Sequence, residues 1–374
     1  MKIFWIGLIG LVGLGFSPTW PLNLPLSQNP SPPASQIDES ESFWIPQFMR
    51  AAPANQSCAA IGPVFGNSFP KFHVHNPEIV WAAPTNQSRA ALWIYKVVPQ
   101  HFSSSAISNL VVMGGFTMKD EQHGHDKITN TNEDTLFFFS KDRICNLTVV
   151  PPQGRIEYWN GLVLPNHWDK TNHLVEPVEG LPDETKVEKL GLKLLNQFGI
   201  QRDDLAQRTD GHLITFGEKE TRGYFDRRSK KYIDDEVIAR GIFFNRRIDG
   251  VNFAGIGAGG GCQIKFSNHA KIADFRLVWR NLQPYKQYRV ASPDEILSYI
   301  RDGQAVLTHK NLVNPADVKK LTITDCSPLY MGADGKEAQD LVYPFAQVEA
   351  VADLGTSSTN IQLYCPILST NLIE

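Results

Sequence analysis

The strongest constraint on the fold is a stretch in which apolar and charged residues alternate, IADFRLVWR at residues 272–280, with Val278 as the exception. Apolar and charged side chains take turns along it: Phe275, Leu277 and Trp279 alternate with Asp274, Arg276 and Arg280. Successive side chains of a β-strand point to opposite faces of its sheet, so the pattern predicts one buried face and one wet face. A sheet with one wet face is typically antiparallel.

The segment before this strand contains glycines in a spacing known from nucleotide-binding loops. Three of them fit G-x-G-x-x-G: Gly255, Gly257 and Gly260. Such a loop needs a helix after it, because the N-terminus of the helix binds the pyrophosphate. Residues 262–267, CQIKFS, instead alternate with period two and predict a strand. We therefore expect bends and bulges at the glycines, no nucleotide and no other cofactor. Asp249-Gly250 predicts a tight hairpin turn.

Amphipathic helices are expected before runs of predicted strands. One covers 184–198, where apolar residues follow the 3.6-residue period and Gly199 ends the helix. Another covers 292–302, where Ser292 and Glu295 fit a capping box. A short third helix begins near Ser103. This order predicts an α+β fold of two or three units, each a small antiparallel sheet with a helix on one face.

The N-terminus has the pattern of an export signal. Lys2 precedes an uncharged apolar run at 3–16, shorter than the roughly 20 residues of a membrane span. We expect a protein that is secreted or held in the cell envelope, with no span in the mature chain. The expected organisation is a leader at 1–16, a Pro/Ser-rich linker at 17–42, an N-terminal α/β unit with an irregular leading segment at 43–178, a helix-plus-sheet unit at 179–291 and a C-terminal helix-plus-strand unit at 292–374.

The net charge argues against a nucleic-acid partner, and the cysteines predict a disulfide. The formal net charge is −3, whereas a nucleic-acid partner requires a basic surface. The chain has five cysteines, and exported proteins commonly form disulfides. Cys326 and Cys365 lie in the same block of C-terminal strands and are the pair we expect.

The region from about residue 180 to about residue 310 resembles the PepSY and peptidase-propeptide modules and is similar to the bacterial sensor-kinase regulators of the YycH/YycI type. The resemblance rests on a strand ending in Asp249-Gly250-Val251, a glycine-bearing bend, the alternating strand at 262–266, the polar turn at 268–271 and a further strand. Those modules place one helix across a small antiparallel sheet. The resemblance implies a non-catalytic exported module that binds and restrains another protein, often a protease or a membrane sensor.

Histidines and aromatic residues supply two alternatives. The first is a secreted hydrolase with a metal or carboxylate site in the region 73–173. The best metal ligands there are His123, His125 and Asp126, expected in a flexible loop; other candidates are His73 with His75 and, in NHWDKTNH, His167, Asp169 and His173. A carbohydrate-binding module would instead expose three coplanar rings: Tyr158, Trp159 and Trp168.

The sequence contains neither G-x-S-x-G, the motif of a catalytic serine, nor H-E-x-x-H, the motif of a zinc protease. We therefore expect a non-catalytic, exported protein that binds a protein or a peptide. Its expected partner is a secreted or membrane protein or a peptide, bound by strand addition at exposed sheet edges and at the glycine-rich loop.

Overall fold

The computed structural model describes residues 71–72, 74, 77–84, 89–116, 121–126, 131–140, 144–164, 178–226, 231–253, 260–308, 313–333 and 339–372. At 121–126, 131–134, 222–226, 231–236 and 370–372 it describes the backbone alone. The helices of this part of the chain are α1 (Ser104–Met113), α2 (Glu184–Gln197) and α3 (Pro293–Arg301).

The strands follow the chain in the order β1 (Glu78–Trp81), β2 (Ala91–Val98), β3 (Glu121–Asp126), β4 (Thr131–Phe139), β5 (Cys145–Val150), β6 (Arg155–Asn160), β7 (Thr215–Asp226), β8 (Lys231–Asn245), β9 (Arg247–Ile248) and β10 (Val251–Asn252). They continue with β11 (Gly261–Phe266), β12 (Ile272–Val278), β13 (Asn281–Val290), β14 (Val306–Leu307), β15 (Lys320–Tyr330), β16 (Leu341–Val342), β17 (Pro344–Asp353), β18 (Ser358–Pro366) and β19 (Leu368–Leu372). The α+β class is as expected.

The helices form where their caps and apolar spacing predict. The Ser103 side chain accepts from the backbone N–H of Ala106 at the start of α1. In α3, Ser292 and Glu295 complete the predicted capping box, since each side chain accepts a backbone N–H of the other residue. The buried side of α2 includes Val187 and Leu194. These caps satisfy N–H groups that a helix start leaves without an intrahelical partner.

An eight-stranded antiparallel sheet, ordered β3-β4-β5-β6-β12-β11-β8-β7, forms one half of the molecule. Helices α1 and α2 share a hydrophobic core with one face of it. At Gly191 the backbone of α2 comes so close to β8 that a Cβ atom would lie 2.8 Å from the ring of Phe244. Phe275, Leu277 and Trp279 lie in this core, as the alternation predicts.

The second half combines two further sheets. A five-stranded sheet has the order β1-β15-β17-β18-β14, in which β1 runs parallel to β15, and a four-stranded sheet has the order β16-β2-β13-β19. Helix α3 shares its core with these strands, through Ile296, Leu297 and Ile300. The two cores meet at Arg246, whose guanidinium lies 4.9 Å from the ring centre of Trp279 in one core and 5.7 Å from that of Phe253 in the other.

Strands that the sequence assigns to different units pair with each other in the same sheet. Strand β6, expected in the N-terminal unit, pairs with β12 of the next unit, and β2 pairs with β13. Instead of one small sheet per unit, the larger sheet draws strands from two units. The PepSY-like arrangement within these units stays a prediction. Strand β13 has no clear alternating pattern in the sequence, because Pro284 interrupts it and half of its residues are exposed; its register shifts between Pro284 and Lys286.

The glycine segment forms the predicted turn and strand. Asp249 and Gly250 join β9 to β10 and both have positive φ, +48° and +72°, as a two-residue type I′ turn requires. The glycine run leads into strand β11 and not into a helix, as predicted for residues 262–267. Gly260 is needed for a close approach, since a Cβ atom there would lie 2.5 Å from the Phe253 ring. Gly255 and Gly257 lie outside the described residues.

Among the described residues, no helix combines the length and the apolar character needed to cross a membrane.

Candidate functional site

The face of the eight-stranded sheet opposite α1 and α2 carries a continuous set of charged and aromatic side chains, which we call the charged face. Cross-strand register aligns it in two rows. From β4 to β7 the first row is Phe139, Asn146, Trp159, Asp274, Lys265, Gly241 and Glu218. The second row is Phe137, Thr148, Glu157, Arg276, Gln263, Phe243 and Phe216. Glu220 extends the face along β7.

Lys265 is the centre of the charged face. Its Nζ lies 2.9 Å from Oε1 of Glu218 and 3.3 Å from Oε2 of Glu220, and the three side chains are only 13%, 14% and 20% exposed. Gln263 Nε2 donates to Glu218 Oε2 at 2.7 Å. Burial alone would lower the pKa of Lys265, but the two carboxylates outweigh burial and raise it. Lys265 is therefore a fully charged ammonium at neutral pH.

Small residues of β8 make this ion pair possible. Lys265 stands on β11 and Glu218 on β7, with β8 between them. Gly241, in the same row, has no side chain, so the side chains of Lys265 and Glu218 can meet above β8. A Cβ atom at Gly241 would lie 3.1 Å from Lys265 Cγ and 3.3 Å from Glu218 Oε2. Ala239, opposite Glu220, is similarly small. The lysine side chain thus passes over the middle strand to reach both carboxylates.

Asp274 and Arg276 form a second ion pair on the neighbouring strand β12. Arg276 NH2 lies 3.1 Å from Oδ2 of Asp274, and its Nε donates to Oδ1 at 3.3 Å. Burial raises the pKa of Asp274, and the charges of Arg276 and Lys265 counteract that rise only in part. Asp274 is 3% exposed, which corrects the expectation of a wet face at this position. The charges are sheltered because they pair with one another.

The charged face is acidic overall and has aromatic borders. Among the described side chains of this face there are four carboxylates, at Glu157, Glu218, Glu220 and Asp274, and three cations, at Lys265, Arg276 and Arg155, which precedes Glu157 by two residues on β6. Toward β4, the rings of Phe137 and Phe139 stack with their centres 6.2 Å apart. Toward β7, Phe216 is a large apolar residue that is 42% exposed. Such a surface suits a partner that brings positive charge and some apolar area.

Strand β7 forms one end of this sheet. It has 12 residues and pairs with β8 from Thr215, opposite Phe244, to Asp226, opposite Lys231. Within the described part of the chain, no strand pairs with its outer side. An edge strand presents backbone N–H and C=O groups along that side, and these groups can pair with another chain. The charged face and the edge of β7 are therefore contiguous, since Phe216, Glu218 and Glu220 belong to both.

The metal-site candidates are placed differently from the sequence expectation. His123, His125 and Asp126 lie in strand β3 and not in a loop, because their segment pairs with β4, with His123 opposite Leu136. Their side chains are outside the description, as are His73, His75, His167, Asp169 and His173. Where the structure describes side chains, no group of three His, Cys, Asp or Glu residues is arranged to hold a metal ion. A metal site at His123 and His125 stays a prediction.

The aromatic platform for a carbohydrate is contradicted at Tyr158. Tyr158 is 1% exposed, lies in the core of the eight-stranded sheet and accepts a hydrogen bond from Asn160 Nδ2. Trp159 follows it directly on β6, so the two rings point to opposite faces of the sheet. They cannot form one exposed plane. Trp168 lies outside the described residues.

The predicted disulfide between Cys326 and Cys365 is wrong, since neither forms a disulfide, and neither do Cys145 and Cys262. Cys326 lies on β15 and Cys365 on β18, with β17 between them. Two strand spacings separate their Cα atoms by roughly 10 Å, whereas a disulfide requires less than about 7 Å. Cys326 and Cys365 do belong to the same sheet, but the strand between them keeps them apart.

Sequence reasoning missed the charged face. The sequence does show polar residues at alternate positions of two strands, Gln263 and Lys265 on β11 and Glu218 and Glu220 on β7. That pattern predicts a solvated face but not which strands lie side by side, so it does not show that one lysine bridges two glutamates.

No family model matches the chain, and no curated protein matches it. Among solved structures, it is similar to an uncharacterized protein from Eubacterium rectale, with a TM-score of 0.42, 10% sequence identity, and coverage of 80% of this chain and 89% of that one. The description of that protein names no activity or ligand.

Proposed function

We propose that this protein is a non-catalytic binding protein that recognises an extended segment of another protein by strand addition at the outer edge of β7. The observation that carries the proposal is the 12-residue length of β7 together with the absence of an outer strand partner among the described residues. A strand added there gains a ladder of main-chain hydrogen bonds, and its side chains meet pockets or charges at every second position.

The chemistry of the charged face favours binding over catalysis. General acid–base catalysis needs a proton-transferring group within hydrogen-bond reach of a substrate. Glu218 and Glu220 are instead both engaged by Lys265, and Asp274 by Arg276. These groups are arranged to hold charge in fixed positions, which suits the recognition of a partner. Together with the export signal expected at 1–16, this supports a role outside the cytoplasm.

The test is selection of peptides of about twelve residues, the length of β7, from a random displayed library on the purified protein. Hydrogen exchange is then measured with and without each selected peptide. Strand addition protects the outward-facing amides of Thr215–Asp226, because these become hydrogen-bonded. Selected peptides that protect other segments and leave β7 unchanged would contradict the proposal.

Two proline variants sharpen this test, Phe216→Pro and Gly217→Pro. In an antiparallel edge strand the N–H groups of successive residues point alternately to the partner strand and outward. One of the two variants therefore removes an inward hydrogen bond to β8 and destabilises the protein. The other removes an outward donor and is expected to fold normally but to bind the selected peptides more weakly. Equal peptide affinity in the folded variant would count against docking at this edge.

A further inference from the structure

We propose that the β7 edge selects an extended segment that carries lysine or arginine side chains at two alternate positions, placed opposite Glu218 and Glu220. This inference rests on the proposed strand addition and specifies the chemistry of the partner. It is based on two observations: β7 is an edge strand of the described sheet, and its carboxylates at Glu218 and Glu220 share the single ammonium of Lys265.

The geometry of the edge puts both glutamates within reach of an added strand. Glu218 and Glu220 are two residues apart on β7 and both contact Lys265, so they lie on the same face of the sheet. Side chains directly opposite each other on paired strands have Cβ atoms about 5 Å apart. A lysine or arginine on the added strand therefore meets these carboxylates from the side opposite to Lys265.

The charge balance at the edge favours a cation. Two carboxylates share the ammonium of Lys265, and the other donor to Glu218 is the neutral amide of Gln263. Both glutamates are sheltered from water, with side chains 14% and 20% exposed. Charge pairs are screened less in such positions than on an open surface. A second cation would give each of the two carboxylates its own positive partner, whereas Lys265 alone must serve both.

Phe216 extends the recognition pattern by one more position. It lies two residues before Glu218 on the same face and is exposed at the edge. The residue opposite it on an added strand gains most from an apolar or aromatic side chain. The expected partner segment thus alternates, with one apolar and two basic side chains on the charged face.

The same charges disfavour a second copy of this chain as the occupant. If two β7 strands paired antiparallel about Lys219, each Glu218 would stand opposite Glu220 of the other copy, and Lys219 opposite Lys219. Like charges directly opposite each other destabilise a strand pair. The charged run Glu218-Lys219-Glu220 therefore disfavours self-association in this register while leaving the edge open to a basic segment.

The experiment compares three synthetic peptides of about the length of β7. They share one β-prone sequence, taken from the library selection, and differ only at the two positions facing Glu218 and Glu220: lysine, glutamine or glutamate. Two opposite-charge pairs should give the lysine peptide an affinity on the order of tenfold higher than the glutamine peptide. The glutamate peptide should bind more weakly than either, and high salt should reduce the differences.

Three protein variants locate the effect. The double variant Glu218→Gln/Glu220→Gln should lose the lysine preference and keep affinity for the glutamine peptide. Lys265→Met should increase the preference, since it frees both carboxylates. A matched control, Asp203→Asn/Asp317→Asn, changes the net charge equally at two exposed residues and should leave the preference unchanged. Thermal melts establish that each variant is folded, and the peptide series on the unaltered protein tests the proposal independently of them.

The outcomes separate this inference from the proposed function. If all three peptides protect β7 equally, strand addition stands and the basic specificity is overturned. If the control variant loses the preference as fully as the glutamate variant, general charge attraction explains it and the inference also fails. If no peptide protects β7, both proposals fall. A peptide-free dimer with protected β7 amides would show that a second copy occupies the edge.

Discussion

Lys265 on β11 lies 2.9 Å from Glu218 on β7, although β8 runs between the two strands. Adjacent strands are about 4.8 Å apart, so the contact spans nearly 10 Å of backbone. It forms because lysine is long and because β8 contributes Gly241 at the crossing point. Three consecutive strands are thereby linked by side chains as well as by backbone hydrogen bonds.

Gly241→Val is expected to destabilise the protein. A Cβ atom at this position lies 3.1 Å from Lys265 Cγ and 3.2 Å from the carbonyl oxygen of Ile264, so the larger side chain must displace the ion pair. We expect a loss of about 1–3 kcal/mol in the free energy of unfolding, measured by urea titration. The control is Gly217→Val on β7, where a Cβ atom would have no neighbour within 4 Å. Equal losses in both variants would contradict a specific role for Gly241.

Lys265→Met tests whether the sheltered glutamates depend on the ammonium. Removing one partner of a buried ion pair leaves the other charge uncompensated, which costs about 3–5 kcal/mol, and the partial exposure of these side chains places the expected loss near the lower end. Adding Glu218→Gln and Glu220→Gln to Lys265→Met should restore part of the stability, because no unpaired carboxylate remains there. A triple variant less stable than Lys265→Met would contradict this account.

Alkaline pH should unfold the protein through its buried tyrosines. Burial raises the pKa of Tyr158 from its ordinary value of 10.0 to about 12. A phenol whose pKa is higher in the folded state holds its proton more tightly there. Its contribution to stability is therefore complete below about pH 10 and is lost as the pH rises toward about 12. Tyr158→Phe should make the decline shallower over that window in urea titrations; an unchanged slope would exclude Tyr158 as a contributor.

The Asp249-Gly250 turn gives a test that separates backbone strain from steric conflict. Gly250→Ala places a Cβ atom at φ +72° and 2.5 Å from an Arg89 nitrogen, whereas Gly211→Ala has φ +81° and no neighbour within 4 Å. Both lose about 1 kcal/mol from the left-handed conformation. Gly250→Ala should lose more, since Arg89 must move as well. Equal thermal shifts would mean that the contact with Arg89 contributes nothing.

Thiol titration checks the cysteine correction. Cys145, Cys262, Cys326 and Cys365 form no disulfide, so at least these four should react with a thiol reagent after denaturation without reductant. In the native protein the reaction should be slow. Burial raises the pKa of Cys326 to about 12 and that of Cys262 well above its usual range, and the thiolate is the reactive form. Titration of three or fewer thiols would indicate a disulfide.

Local patterns in the sequence were sufficient to predict the helices, the glycine turn and the strands β11 and β12 that follow it. Caps such as Ser292 with Glu295 act over three residues, and the Asp249-Gly250 turn depends on two positive φ angles within one dipeptide. The alternation at 272–280 correctly predicted a core face at Phe275, Leu277 and Trp279. These features need no knowledge of distant residues, so the sequence by itself determined them.

Only the tertiary structure decided which strands became neighbours. The pairing of β6 with β12 joins residues more than a hundred positions apart, and β17 separates Cys326 from Cys365. The charged face depends on the same order, because Lys265 reaches Glu218 and Glu220 only when β8 lies between their strands with Gly241 in the right row. Hydrophobic periodicity specifies which face of a strand is buried, but long-range pairing is chosen by the packing of the whole core.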